Sequence, residues 1–150
     1  MAMQAEADDR VLRLTRTIAA SPERLFDAWT KPEILLRWWG PEGITIPEHE
    51  LDIRVGGTWR TTMLTPDGQR NICSGVYTLI DRPRRLAFTW AWQQPDGTRG
   101  HETAAEVTFE KAGAGTLLTF VQKTFLTAEH RDRHNQGWSS TFNKLERLFD

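Results

Sequence analysis

The fold is decided by the stretch GWSSTFNKLERLF, residues 137–149. Its large side chains recur at steps of three and four, and polar residues occupy the positions between them. The recurring set is Trp138, Thr141, Phe142, Leu145, Leu148 and Phe149. This spacing marks one face of a helix, and it predicts a long amphipathic helix over 127–150. Such a helix has to bury its apolar stripe against another element of structure.

The chain before this predicted helix has a different hydrophobic periodicity. From residue 43 to residue 123 the chain alternates apolar and polar side chains in short stretches, which clusters of Gly, Pro and Asp separate. That pattern predicts a run of antiparallel strands joined by tight turns. The predicted strands cover 44–53, 58–65, 70–80, 85–92, 101–110 and 116–123.

The N-terminal part supplies one more strand and two short helices. Residues 11–18 alternate apolar residues with Arg and Thr, which is typical of a half-buried strand. Ser21-Pro22 predicts a helix start, because serine caps a helix N-terminus and proline fits the first turn. Thr30 and Glu33 have capping-box spacing and predict a second start. This element order predicts an α+β fold in which a seven-stranded, curved antiparallel sheet wraps the long C-terminal helix.

Composition limits the classes of partner. The 150 residues fit one domain, expected over 10–150 after a flexible arm at residues 1–9. A formal net charge of −1 gives no field that would attract nucleic acid, and no apolar run approaches the length of a membrane span. The N-terminus is polar and Cys73 is the single cysteine, so we expect a cytoplasmic protein without an internal disulfide.

The strand at 85–92 indicates an aromatic surface inside the fold. Its large apolar side chains alternate with smaller or polar ones and therefore share one face: Leu86, Phe88, Trp90 and Trp92. On the next strand, the small residues Thr103 and Ala105 either leave space beside these rings or accept them. Only the first outcome makes a ligand cavity.

Two features of the tail invite a functional explanation. Gly137 interrupts the helix, which costs about 1 kcal/mol relative to alanine. Either it leaves room for a ligand or for Trp138, or a strand approaches closely there. His130 and His134 stand one helical turn apart, a spacing that suits two metal ligands, but no third ligand is recognisable. We therefore predict no metal site and no cofactor.

Six segments, in order, resemble one protein family. They are ASPERLFDAW at 20–29, WWGP at 38–41, GGTWR at 56–60, GVY at 75–77, PRRLAFTW at 83–90 and GW at 137–138. Together they resemble the activator-of-heat-shock-protein-90-ATPase homologues, within the START-like or SRPBCC superfamily. The resemblance implies the helix-grip fold, with an elongated apolar cavity between sheet and C-terminal helix. In eukaryotic members that stimulate a chaperone ATPase, the related domain follows an N-terminal domain that this sequence lacks, so we do not expect chaperone activation.

These observations favour a non-enzymatic protein that binds a small hydrophobic or aromatic molecule, with Tyr77 and His101 as the polar groups that orient it. The expected cavity residues are Trp59, Tyr77, Phe88, Trp90, Trp92, His101, Phe109, Phe120, Trp138 and Phe142. Plain core packing is the alternative for each ring. Two other functions stay open: a co-chaperone-like protein-interaction module, and a cyclase- or hydrolase-type enzyme that uses polar groups of the cavity. Nothing in the sequence indicates a chaperone partner or self-association.

Overall fold

The computed structural model describes residues 9–150, so the predicted arm lies outside the described residues except for Asp9. The elements are β1 (Val11–Ile18), α1 (Pro22–Thr30), α2 (Pro32–Trp38), β2 (Thr45–Leu51), β3 (Thr58–Leu64), β4 (Arg70–Asp81), β5 (Arg85–Trp92), β6 (Thr103–Ala112), β7 (Gly115–Lys123) and α3 (Ala128–Leu148). Their order confirms the predicted one. Within residues 9–150, no helix combines the length and the apolarity that a membrane span requires.

The strands form one antiparallel sheet in the order β1-β7-β6-β5-β4-β3-β2. From β2 to β7 each strand lies beside the next one in the chain, as expected for hairpins with short turns. β1 instead pairs with β7 at the far edge, where Leu14 lies opposite Phe120. In β4 the register with β5 shifts after Tyr77, and such a bulge bends a sheet. The curved sheet and the long helix confirm the predicted α+β architecture.

Local capping fixes where α1 and α3 begin. Ser21 Oγ accepts a hydrogen bond from the backbone N–H three residues further on, at 3.2 Å, and Pro22 occupies the first turn of α1. Thr127 Oγ1 caps α3 in the same way, at 3.1 Å. Both caps satisfy backbone N–H groups that have no partner inside the helix. The start of α1 therefore agrees with the sequence prediction.

The predicted capping box at Thr30 and Glu33 is wrong. The N-cap of α2 is Lys31, and it makes no side-chain cap hydrogen bond. The Thr30 hydroxyl donates instead to the backbone carbonyl of Phe26, at 2.9 Å, within the preceding helix. A threonine near a helix end has both options, and here the carbonyl one turn earlier takes the hydroxyl.

The core lies between the inner face of the sheet and α3. The predicted helix stripe is buried at Trp138, Thr141, Phe142 and Leu145 and half-buried at its end. The inner face of β5 is as the alternation predicted at Leu86, Phe88 and Trp90, which are buried, whereas Trp92 at the end of the strand is 38% exposed. The inner face of β6 contributes buried side chains at Thr103, Ala105, Val107 and Phe109. α1 packs on β6 and β7, and α2 packs on α3, so the short helices cover one end of the core.

Candidate ligand cavity

A cavity of about 640 Å³ lies between the sheet and the N-terminal part of α3. Its buried wall includes Trp39, Met63, Trp90, Phe125 and Trp138. Its exposed lining residues, which form the mouth, include Gln94, His101, Leu126, His130 and Arg133. Sites for small molecules have volumes of about 300–1,000 Å³ and mostly apolar walls. The cavity therefore has the size and the composition of a ligand site.

Three indole rings form the inner end of the cavity: Trp39 after α2, Trp90 on β5 and Trp138 on α3. The distances between ring centroids are 5.7 Å for Trp39–Trp90, 5.3 Å for Trp90–Trp138 and 5.6 Å for Trp39–Trp138. Each ring thus contacts the other two. Each of the three is no more than 5% exposed, so they form a closely packed apolar wall at this end of the cavity.

The turn after α2 holds Trp39 in place. The Nε1–H of Trp39 donates to Oγ1 of Thr61 on β3, at 3.1 Å, and Nζ of Lys144 donates to the carbonyl oxygen of Gly40, at 3.1 Å. Gly40 has φ of 87°, and a Cβ there would lie 2.8 Å from Cγ2 of Ile44. Only glycine meets both conditions. The WWGP segment thereby fixes one wall of the cavity.

Gly137 leaves its side of the cavity open. Among the described residues, a Cβ built at this position would meet only Cγ of Pro41, at 3.8 Å, which is an ordinary contact. The alternative that a strand approaches the helix closely here is therefore wrong. Gly137 itself lines the cavity, so the missing side chain contributes to the open volume.

A buried polar network joins α3 to the sheet beside the cavity. The centre is Gln122 on β7, whose side chain is fully buried. Its Oε1 accepts from Nε1 of Trp138 at 3.0 Å and pairs with Nδ1 of His134 at 3.1 Å. Its Nε2 donates to Oγ1 of Thr103 at 2.8 Å. Both polar atoms of the Gln122 side chain therefore form hydrogen bonds, and these bonds fix the orientation of the side chains around it.

The same network sets the protonation of His134. Nε1–H of Trp92 donates to Nε2 of His134 at 3.0 Å, so this nitrogen carries no proton. Nδ1 therefore carries the hydrogen that is donated to Gln122. Burial, together with the nearby His130, lowers the pKa of His134 to about 4. The imidazole is neutral at physiological pH and serves as a structural link between Trp92 and Gln122.

The sequence and the structure have recognisable relatives. The model of the family named Activator of Hsp90 ATPase homolog 1-like protein matches residues 19–150. The chain belongs to this family. The AHSA1 protein from Silicibacter pomeroyi is 36% identical, with a TM-score of 0.87 over 92% of this chain and 96% of the other. A Chromobacterium violaceum protein is 26% identical, with a TM-score of 0.84 over 93% and 97%. Among curated proteins, none matches significantly.

These similarities confirm two predictions for this AHSA1-like chain. The family is the one that the six sequence segments indicated. The fold is the START-like helix-grip fold, because AHSA1-like structures superimpose on nearly the whole chain.

The structure divides the ten predicted cavity residues of this AHSA1-like chain into three groups. Trp90, Trp92, His101 and Trp138 line the cavity. A separate void of about 10 Å³ is bordered by Trp59, Tyr77 and Phe88. The packed core around Trp29 contains Phe109, Phe120 and Phe142. The expected single space is interrupted because the ring of Trp39 borders both the cavity and the void.

The two predicted orienting groups are placed differently. Tyr77 lies outside the cavity, and burial raises its pKa above the ordinary value, so it is a neutral phenol beside the small void. His101 is exposed at the mouth of the cavity. Its Nε2 forms a hydrogen bond with the backbone carbonyl of Thr124, which has a positive φ of 73°. His101 thereby ties the start of β6 to the turn that carries Phe125 and Leu126.

Sequence reasoning missed several residues of the site. Trp39, Met63 and Phe125 belong to the cavity wall, and Gln122 organises the polar network. Gln122 had a usable signal, since it follows Leu118 and Phe120 at steps of two and so shares their inner face. Met63 had the same signal, since it follows Trp59 and Thr61 at steps of two along β3. Phe125 had none, because it lies beyond β7 and its position depends on how distant segments pack.

Most titratable side chains that line this AHSA1-like cavity lie at its mouth. Among the described lining residues there are three histidines and one arginine but no carboxylate. Within residues 9–150, no group of three or more His, Cys, Asp or Glu side chains could hold a metal ion. Both ring nitrogens of His134 are engaged by neighbours, so this group is not free to transfer a proton.

Proposed function

We propose that this protein binds a small hydrophobic or aromatic molecule in the cavity between its sheet and α3. The observation that carries the proposal is the cavity of about 640 Å³ with indole rings at its inner end. Protein interiors are otherwise close-packed, and a large unfilled apolar space destabilises a fold unless a ligand fills it. Superfamily members that bind lipids, sterols or polyketide-like molecules use the same space, which supports the proposal by analogy.

The two alternative functions have less support. The exposed large apolar side chains among the described residues are Val55, Trp92 and Leu126, and the last two border the cavity. Isolated exposed apolar residues do not mark a protein-interaction surface. An enzyme would need an acid–base pair in the cavity, and its lining provides no carboxylate to pair with a histidine.

The test is a titration with N-phenyl-1-naphthylamine, a neutral fluorophore whose emission rises in apolar surroundings. We expect saturable one-to-one binding by the wild type. Trp90→Ala should bind about 5- to 150-fold more weakly, because loss of the ring contact is worth about 1–3 kcal/mol. Trp90→Phe, which keeps an aromatic ring, should lie between the two.

Val55→Ala is the matched control, since Val55 is exposed and does not line the cavity. It should bind the fluorophore like the wild type. Absence of saturable binding to the wild type would contradict the proposal, and so would equal affinity of the wild type and a folded Trp90→Ala variant.

A further inference from the structure

The charges of the cavity are unequally distributed. Among the described lining residues, Arg133 is the only permanently charged one, and none is Asp or Glu. Arg133 is exposed at the mouth together with His101 and His130, whereas the indole rings at the inner end are buried. The space therefore has an apolar aromatic end and an end whose lining carries a positive charge and no negative one.

The acidic side chains next to the mouth are paired with other groups. Glu102, which follows His101, accepts from Nη1 of Arg99 at 2.9 Å. Asp132 is paired with Arg131 at 2.9 Å. Neither acid lines the cavity. An anion at the mouth would therefore meet no carboxylate in the wall.

Arg133 can exchange its present partner. It pairs with Glu129, one turn earlier on α3, and the two side chains are 66% and 73% exposed. An ion pair in such contact with water is weak, so replacing Glu129 by another carboxylate costs little. The planar guanidinium offers parallel N–H donors that match a carboxylate.

The cavity brings Arg133 and Trp138 of α3 to the same space. Both residues line it, and they lie five positions apart on the helix. A space of about 640 Å³ admits a molecule with two aromatic rings, so one molecule of this kind can approach both residues.

We propose, on the basis of the binding function above, that the ligand is an aromatic acid. Its planar ring system lies in the cavity against the wall formed by Trp39, Trp90 and Trp138, and its carboxylate, or a comparable anion, faces Arg133. A neutral aromatic molecule would contact the indole wall but would not pair with Arg133, and an aliphatic acid would pair with Arg133 but would make no aromatic contact.

The test compares 2-naphthoate with 2-naphthamide by isothermal titration calorimetry. The two probes differ in charge and hardly in size. We expect the wild type to bind 2-naphthoate about tenfold more tightly at low ionic strength, with a smaller ratio as salt is added. Arg133→Gln should lose most of this preference. Arg147→Gln removes another exposed arginine of α3, one that pairs with Glu42 and does not line the cavity, and it should keep the preference.

Several outcomes would overturn the inference. Equal affinity of the wild type for the two probes, or a preference that survives in Arg133→Gln, would remove the role of charge while binding of N-phenyl-1-naphthylamine still upheld the cavity function. Tighter binding of decanoate than of 2-naphthoate would overturn the aromatic part. Failure of all these probes to bind would overturn the proposed function as well.

Discussion

The two ends of the interior contain similar residues and differ in how they are filled. At the filled end, the ring of Trp29 lies 4.7 Å from Trp38 and 6.1 Å from Phe142, centroid to centroid, and the space between α1, α3 and the sheet is occupied. At the open end, Trp90 and Trp138 are equally large but border a cavity of about 640 Å³. Aromatic content therefore does not decide whether a space is packed.

The difference lies in the residues that stand opposite the rings. At the open end Gly137, Gly100 and Thr103 contribute little or no side-chain volume. Its polar atoms are fixed by the hydrogen bonds around Gln122, so the wall does not collapse inward. Small residues and a rigid polar network therefore keep one end open while the other is close-packed.

The largest expected effect is at the filled end. Trp29→Ala removes a ring that is 1% exposed, and we expect it to lower the free energy of unfolding by about 3–5 kcal/mol. Trp90→Ala at the open end should cost less, about 1–3 kcal/mol, because the space that the ring vacates joins the existing cavity and can be filled by water. Urea denaturation measures both. Equal losses would show that the two ends are packed alike.

The next effect concerns the polar network. Gln122→Met should lower the free energy of unfolding by about 2–4 kcal/mol, because His134 Nδ1–H and Trp138 Nε1–H would lose their acceptor. Gln136→Met, the same substitution at an exposed position of α3, should change it by less than about 0.5 kcal/mol. If the two variants unfold at the same urea concentration, the network does not stabilise the open end.

A third test uses pH. The folded protein protonates His134 with a pKa of about 4, whereas the unfolded chain does so near 6.5. Between these values the unfolded state binds more protons, so the free energy of unfolding falls as the pH drops from 6.5 towards 4, and this group has no effect above neutral pH. We expect a loss of about 1–3 kcal/mol, reduced by the partial exposure of the ring.

The His134→Gln variant isolates that contribution. It should be less stable than the wild type at pH 7.5, and it should lose less stability between pH 7.5 and pH 4.5, as measured by urea denaturation at both values. Identical pH dependence of the two proteins would contradict a buried neutral imidazole at this position.

The smallest effect tests the missing side chain of α3. Gly137→Ala should raise the free energy of unfolding by up to about 1 kcal/mol, because alanine favours the helix and its Cβ meets no obstacle. The added methyl group enters the cavity, so binding of N-phenyl-1-naphthylamine should weaken by about two- to fivefold. Gln136→Ala, on the exposed face, should leave binding unchanged. A stabilised Gly137→Ala protein with unaltered affinity would remove the role of this glycine in the open end.

The order of the elements and the face on which each side chain lies could be predicted, because both follow from local periodicity. Leu86, Phe88 and Trp90 alternate along β5, and the structure buries all three. The helix stripe at Trp138 and Phe142 is likewise a property of a few consecutive turns. These patterns need no knowledge of which segments meet.

Which part of the interior is filled and which part stays open could not be predicted in the same way. Phe120 and Trp138 look alike as inward aromatic residues, and their centroids lie 4.4 Å apart, yet only Trp138 borders the cavity. The outcome depends on Trp39. The turn after α2 and the hydrogen bond to β3 place its ring between the cavity and the small void. The partners of His134 likewise come from β5 and β7, and no spacing rule connects them.

The pairing of β1 with β7 has a consequence for how the protein assembles. Val11 lies opposite Lys123 and Ile18 opposite Thr116, so these strands must find each other across a long stretch of chain. Closing so large a loop costs entropy before any contact compensates for it, and folds with many such pairings form slowly. Arg16 of β1 also donates to Asn143 and to the carbonyl of Ser139 on α3, at 2.9 and 3.1 Å. Because β1 contacts α3 in this way, we expect completion of the sheet and docking of the helix to be coupled, and a φ-value near zero for Leu12→Ala would show that the pairing of β1 comes late. Gly137 and Trp138 of α3 line the cavity, so this space has no complete wall before the helix docks.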